Sequence, residues 1–193
     1  MKKLLFILLL TIPFIGFGQE RYHVNKITSP NDTLTYLKFD MSLVNGIVFD
    51  DTGDLGSYKN GRKNGPWNRY HEKGWCNENY KDGFKLSNKC YLDNGMLIEE
   101  FYGGEKGFYR RWYENGTLKK EILYSEIMWE VKKMSGLFRT WYDNGQLMRS
   151  YNFNIIKTNY LISINSTKFV IKEGVSKYWY ENGQLQFESN YKE

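Results

Sequence analysis

The sequence predicts an all-β chain, an antiparallel meander of about six stacked β-hairpin repeats. Three observations lead there. The stretch Trp112-Tyr113-Glu114-Asn115-Gly116-Thr117-Leu118 recurs closely at 141–147 and 179–185, and loosely around Gly53, Gly74 and Gly95. The turn glycines Gly53, Gly74, Gly95 and Gly116 stand 21 residues apart, and the steps then lengthen to 29 at Gly145 and 38 at Gly183. A fixed period with late expansions is how a repeat array with insertions reads. The composition is that of strands and turns: aromatic residues make up 18% of the 193, and 18 Gly stand against 3 Pro. Tyr, Phe and Trp favour pleated surfaces, and Gly supplies positive φ in turns.

Residues 1–18 read as a secretory signal peptide. Lys2 and Lys3 precede an apolar run from Leu4 to Phe17, and Gly16 and Gly18 are small residues two apart ahead of Gln19. The run falls short of the roughly 20 residues that span a bilayer and contains Pro13, so no transmembrane segment is expected in the mature chain. The expected location is exported, periplasmic or extracellular, after cleavage near Gly18. Removing Lys2 and Lys3 lowers the formal charge from +5 to +3. That balance is mild, and no nucleic-acid partner is expected.

Residues 19–44 form an irregular, capping segment, in which Thr33 to Phe39 alternates as a strand does after the Ser29-Pro30-Asn31-Asp32 turn signal. Residues 45–193 hold the repeat array. Four residues before each turn glycine stands an aromatic: Phe49, Tyr70, Tyr91, Trp112, Trp141 or Trp179. Two before it stands an acid, and two after it an apolar residue: Leu55, Cys76, Leu97, Leu118, Leu147 or Leu185. Nine before it, Gly65, Gly107, Gly136 and Gly174 suggest a second turn opening the unit. With the acid, the Asn and the Gly in the turn, the aromatic pairs across the hairpin with the apolar residue. Both then fall on one face, the packed core of the repeats. No helical i, i+3, i+4 stripe runs through the mature chain.

The expansions near 125–135 and 154–173 lengthen two inter-repeat links. They read either as tolerated surface loops or as part of a binding face.

The wording Trp-Tyr-Glu-Asn-Gly-Gln-Leu followed by a short polar strand resembles the bacterial MORN-variant repeat. Such chains are grouped as the YwqK-like antitoxin family. The resemblance covers about residues 45–193 and is sharpest around Gly116, Gly145 and Gly183. It implies a single-layer sheet of antiparallel hairpins and a binding rather than a catalytic role.

Catalytic equipment is sparse. Only His23 and His71 could transfer protons near neutral pH, and no nucleophile elbow, zinc helix or phosphate-cradling loop is present. No enzyme activity, cofactor or metal is therefore expected. Equivalent turn acids of consecutive hairpins would lie roughly 9–10 Å apart, too far to share a calcium ion, so each is expected to stabilise its own turn. Tyr113, Tyr142 and Tyr180, one residue beyond the ladder, should point to the opposite face with Arg69 and Arg111. Exposed Tyr with Arg makes the candidate binding surface. Cys76 and Cys90 form a disulfide if a link centred on Gly83 sets them opposite, or Cys76 is a small buried hydrophobe; the alternation puts them on different faces unless a bulge intervenes. The expected function is an exported scaffold that binds another protein, antitoxin- or immunity-like in its finer form. The alternative is an envelope module that binds glycan or peptidoglycan through the Tyr row.

Overall fold

The computed structural model describes residues 19–30, 33–104, 106–125, 133–156 and 171–191. The expected signal peptide and most of both expansions lie outside them. A 13-stranded sheet dominates, in the order β1, β4, β5 and then each strand in sequence to β15. β1 (Arg21–His23) lies parallel to β4 (Gly46–Asp50), and every later pairing is antiparallel. The meander continues through β5 (Gly53–Lys59), β6 (Arg62–His71), β7 (Gly74–Lys81), β8 (Phe84–Leu92) and β9 (Leu97–Tyr102). It ends with β10 (Lys106–Trp112), β11 (Leu118–Ser125), β12 (Lys133–Trp141), β13 (Leu147–Ile156), β14 (Ile171–Trp179) and β15 (Leu185–Tyr191). The expected fold class is the observed one. Among the described residues the only helical turn is a 3-10 turn at Val24–Lys26.

The capping segment is more ordered than its sequence suggests. β2 (Ile27–Thr28) and β3 (Tyr36–Leu37) pair, so the alternating stretch contributes only its middle to a strand. Leu37 and Val44 bury against Val48 and Trp67 of the sheet, with Tyr58 and Tyr80 alongside. This segment covers one face at the start of the array.

Two kinds of turn alternate along the meander. At one end, Asn60-Gly61 and Asp82-Gly83 join strands with positive φ at both residues, 51° and 70°, then 51° and 87°. That is the type I′ pair whose twist matches flanking strands. At the other end the Asn-Gly units close differently. Gly116 N donates to Tyr113 O at 2.9 Å, and Thr117 N donates to the Asn115 side chain at 2.9 Å. Gly116 takes φ 84°, the left-handed residue of a three-residue hairpin loop with a bulge. The expected pairs form there: Tyr91 with Leu97, Trp112 with Leu118, Trp141 with Leu147 and Trp179 with Leu185.

Three expectations are corrected. Gly53 and Gly74 open the returning strand after two-residue turns, so Phe49 pairs with Asp54 and Tyr70 with Trp75, not with Leu55 and Cys76. The last four turns are closed by Asn side chains rather than by the acids: Asn94, Asn115, Asn144 and Asn182 each accept from the backbone N two residues on, whereas in the first turn Asp50 accepts from Thr52 N. Gly65, Gly107, Gly136 and Gly174 lie inside strands. Each stands opposite an aromatic of the following strand: Tyr80, Tyr124, Phe153 or Tyr191. At Gly107 a Cβ would run into the Tyr124 ring, so the glycine is a seat for that ring and not a bend.

Candidate functional site

Register and alternation assign every central residue to one of two faces. The first carries a cross-strand row through Trp67, Glu78, Asn88, Phe101, Tyr109, Ile122, Phe138, Tyr151 and Ser176. All are buried except the partly buried Phe101. Tyr124 and Phe153 join them, and Phe138 stacks on Tyr151 at 4.8 Å. This is the core.

The expected core lies elsewhere. Phe49, Tyr91, Trp112, Trp141 and Trp179 are half-buried, and Tyr70 is 54% exposed. Leu55, Leu97, Leu118 and Leu147 are half-buried, and Leu185 is 51% exposed. The reason is position: Tyr91–Leu97, Trp112–Leu118, Trp141–Leu147 and Trp179–Leu185 are the last pairs before their turns, at the rim of the sheet, and Phe49 and Tyr70 stand one pair further in. Trp75, Tyr91 and Tyr70 share the face opposite the buried row, with Trp75 stacked on Tyr91 at 5.4 Å. Arg139 sits over Trp141 at 5.7 Å. Next to this ladder runs a row of ion pairs. Lys89 meets Glu100 at 3.5 Å, Glu121 sits between Arg110 and Arg139 at 3.0 and 2.6 Å, and Lys177 meets Glu188 at 3.2 Å.

The expected binding surface is divided. The hydroxyl of Tyr113 donates to Trp141 O and that of Tyr142 to Trp179 O, so both rings are straps between repeats. Tyr180 is 49% exposed. Arg69 and Arg111 fall on the face of the buried row, not with an open tyrosine row.

That face also holds the cysteines. Cys76 and Cys90 are direct cross-strand partners, joined by a disulfide and both buried. The conflict over faces disappears because Cys76 does not share the face of Tyr70 and Tyr91 at all. Beside it, the Glu78 carboxylate accepts from Lys85 Nζ at 2.6 Å and Tyr80 OH at 2.8 Å, with Arg69 at 3.3 Å. Burial alone would raise the Glu78 carboxyl; the Lys85 and Tyr80 hydrogen bonds and the nearby cations outweigh it and hold it below its ordinary value. Burial pushes the Tyr80 hydroxyl up, reinforced by Glu78.

Cations lie over the aromatic row for much of its length. Lys63 stands over Trp67 at 4.3 Å, Lys120 over Phe138 at 5.3 Å, Arg149 over Phe138 at 4.7 Å and Lys172 over Tyr151 at 5.1 Å. Burial lowers the Lys63 and Lys120 ammonium groups, and for Lys120 the nearby Arg149 and Arg111 lower it further. Such a face attracts and orients anions. Sequence reasoning missed it, although the signal was present: its rings recur seven residues before and six or eight after the turn glycine.

A family model described as MORN repeat variant matches residues 107–126, 134–154 and 172–193. The last three hairpins are therefore similar to MORN-variant repeats. Each match covers one hairpin, β10–β11, β12–β13 or β14–β15, and begins within two residues of Gly107, Gly136 or Gly174. No curated protein matches the chain. The three earlier hairpins continue the same meander and the same buried row.

Proposed function

We propose that this chain is an exported, non-enzymatic scaffold that binds another protein, with an antitoxin- or immunity-like role as its finer form. The observation that supports binding is the continuous cation-bearing face, which presents charge in fixed register along a rigid sheet. Export is supported by the Lys2-Lys3 start and the apolar run to Phe17. A repeat sheet of this kind offers an extended surface rather than a reaction pocket.

The test is a pull-down from the envelope fraction with the mature chain. A stoichiometric protein partner supports the reading; retention on isolated cell wall alone favours the glycan-binding alternative instead. N-terminal sequencing of the protein recovered from that fraction tests export, which requires a start near Gln19. A toxin relieved by co-expression of this chain would support the immunity-like role.

A further inference from the structure

Part of the first face sets like charges directly opposite one another. Arg111 pairs in register with Lys120, Lys120 with Thr140, and Thr140 with Arg149. Like charges opposed across strands destabilise a sheet. The other face avoids this by alternating Lys or Arg with Glu at every ion pair it makes. Among the described residues, none of Arg111, Lys120 and Arg149 has a carboxylate within ion-pair distance. Glu99, in register with Arg111, turns its carboxylate to Asn88 Nδ2 at 3.1 Å and the Tyr109 hydroxyl at 3.0 Å. Lys120 lies over Tyr109 and Phe138 at 5.5 and 5.3 Å, and Arg149 Nε donates to the Thr140 hydroxyl at 3.2 Å. The cations are held in place with no carboxylate paired to them; Glu99 acts on Lys120 from nearby but is itself engaged by Asn88 and Tyr109.

We propose that Arg111, Lys120 and Arg149 form a docking row for an extended acidic segment of a partner protein, which supplies those counter-charges. The inference rests on the scaffold function proposed above. Geometry favours an extended peptide. Arg111 and Arg149 stand three strand steps apart, roughly 14 Å, and four residues of extended chain advance roughly the same distance with alternate side chains on one side. Acids at every second position then reach the outer cations and meet Lys120 between them. A stacking sugar fits less well, because Tyr109 and Phe138 are buried beneath the cations and offer no open ring.

The test titrates the full mature chain with a labelled alternating Glu-Ser peptide at low salt. Saturable binding that salt weakens is expected. Arg111→Gln/Lys120→Gln/Arg149→Gln should lower the affinity at least about tenfold, while Lys89→Gln/Lys177→Gln on the opposite face should change it less than about twofold. The triple variant should unfold no more easily than the parent, because it removes like-charge repulsion; should it fail to fold, Lys120→Gln alone must still weaken binding. Equal loss in the opposite-face control, unchanged binding in the folded triple variant, or no binding of the peptide would overturn the row. So would polygalacturonate or phosphatidylserine vesicles binding through these cations when the peptide does not. If the triple variant still captures the partner in the pull-down, the row is wrong and the scaffold stands. If the peptide binds but no partner protein is ever recovered, the scaffold reading is the one that fails.

Discussion

The Tyr113 hydroxyl donates to the backbone carbonyl of Trp141 at 2.9 Å, one repeat away. Tyr142 repeats the contact on Trp179 at 3.0 Å. Beside them, Asn115 Nδ2 donates to Asp143 O at 2.8 Å and Asn144 Nδ2 to Glu181 O at 3.2 Å. Each turn is thereby tied to the next turn, in addition to the strand ladder. In a repeat array such nearest-neighbour terms supply much of the stability.

Tyr113→Phe and Tyr142→Phe should each lower unfolding stability by about 0.5–1.5 kcal/mol, the net value of one hydrogen bond, with the sheet retained. Tyr180→Phe should be close to neutral, since no described residue accepts from its hydroxyl. Urea unfolding of the three variants checks this, and an equal loss in Tyr180→Phe would mean that the straps do not couple the repeats.

The buried row predicts the opposite of what the ladder suggests. Phe138 is 6% exposed and stacks on Tyr151, whereas Trp141 is only half-buried at the rim. Phe138→Ala should cost about 3–5 kcal/mol, as for a core aromatic, and Trp141→Ala clearly less. Denaturant midpoints at constant slope give the comparison; a larger loss for Trp141→Ala would return the core to the ladder.

The hairpins were legible because turn chemistry is local. Asn-Gly at a fixed offset from Trp and Leu specifies both the loop and its bulge. The packed face was legible only in part, because aromatics occupy both faces and the strictest repeat lies at the rim. Trp141 and Trp179 recur where the chain must enter the turn and offer a carbonyl to the preceding repeat. The buried positions seven residues before the turn glycine vary instead, through Trp67, Asn88, Tyr109, Phe138 and Ser176. Packing there depends on which ring covers which neighbour, as at Gly107 and Tyr124, and such complementarity is set across strands rather than along the sequence. The like-charge pairing of Arg111 with Lys120 appears only once register is known.

The disulfide closes a short loop. Cys76 and Cys90 are 14 residues apart, and a cross-link of that span stabilises by about 3 kcal/mol in the chain-entropy account. Cys76→Ser/Cys90→Ser should therefore melt lower than the oxidised parent, and reductant should lower the parent towards the variant without affecting the variant itself. Identical melting of all three would mean that the bond is absent from the protein.

The buried carboxylate of Glu78 gives a pH dependence with a definite sign. Its side chain is 2% exposed and is held by Lys85, Tyr80 and Arg69. Burial acts to raise its pKa, but those partners prevail and the folded value lies below the ordinary one of 4.5. The unfolded state therefore binds the proton more readily, and stability rises with pH through that window. The contribution is fully present above the ordinary glutamate range and is lost as the pH falls through the lowered folded value. Unfolding of the parent measured from neutral pH down to below 4.5 should show this loss. Glu78→Gln should be less stable than the parent at neutral pH, because Lys85 and Arg69 lose their counter-charge, and its stability should fall less steeply on acidification. Parallel curves for the two proteins would show that Glu78 binds its proton equally in the folded and unfolded states, and the lowered folded value would be wrong.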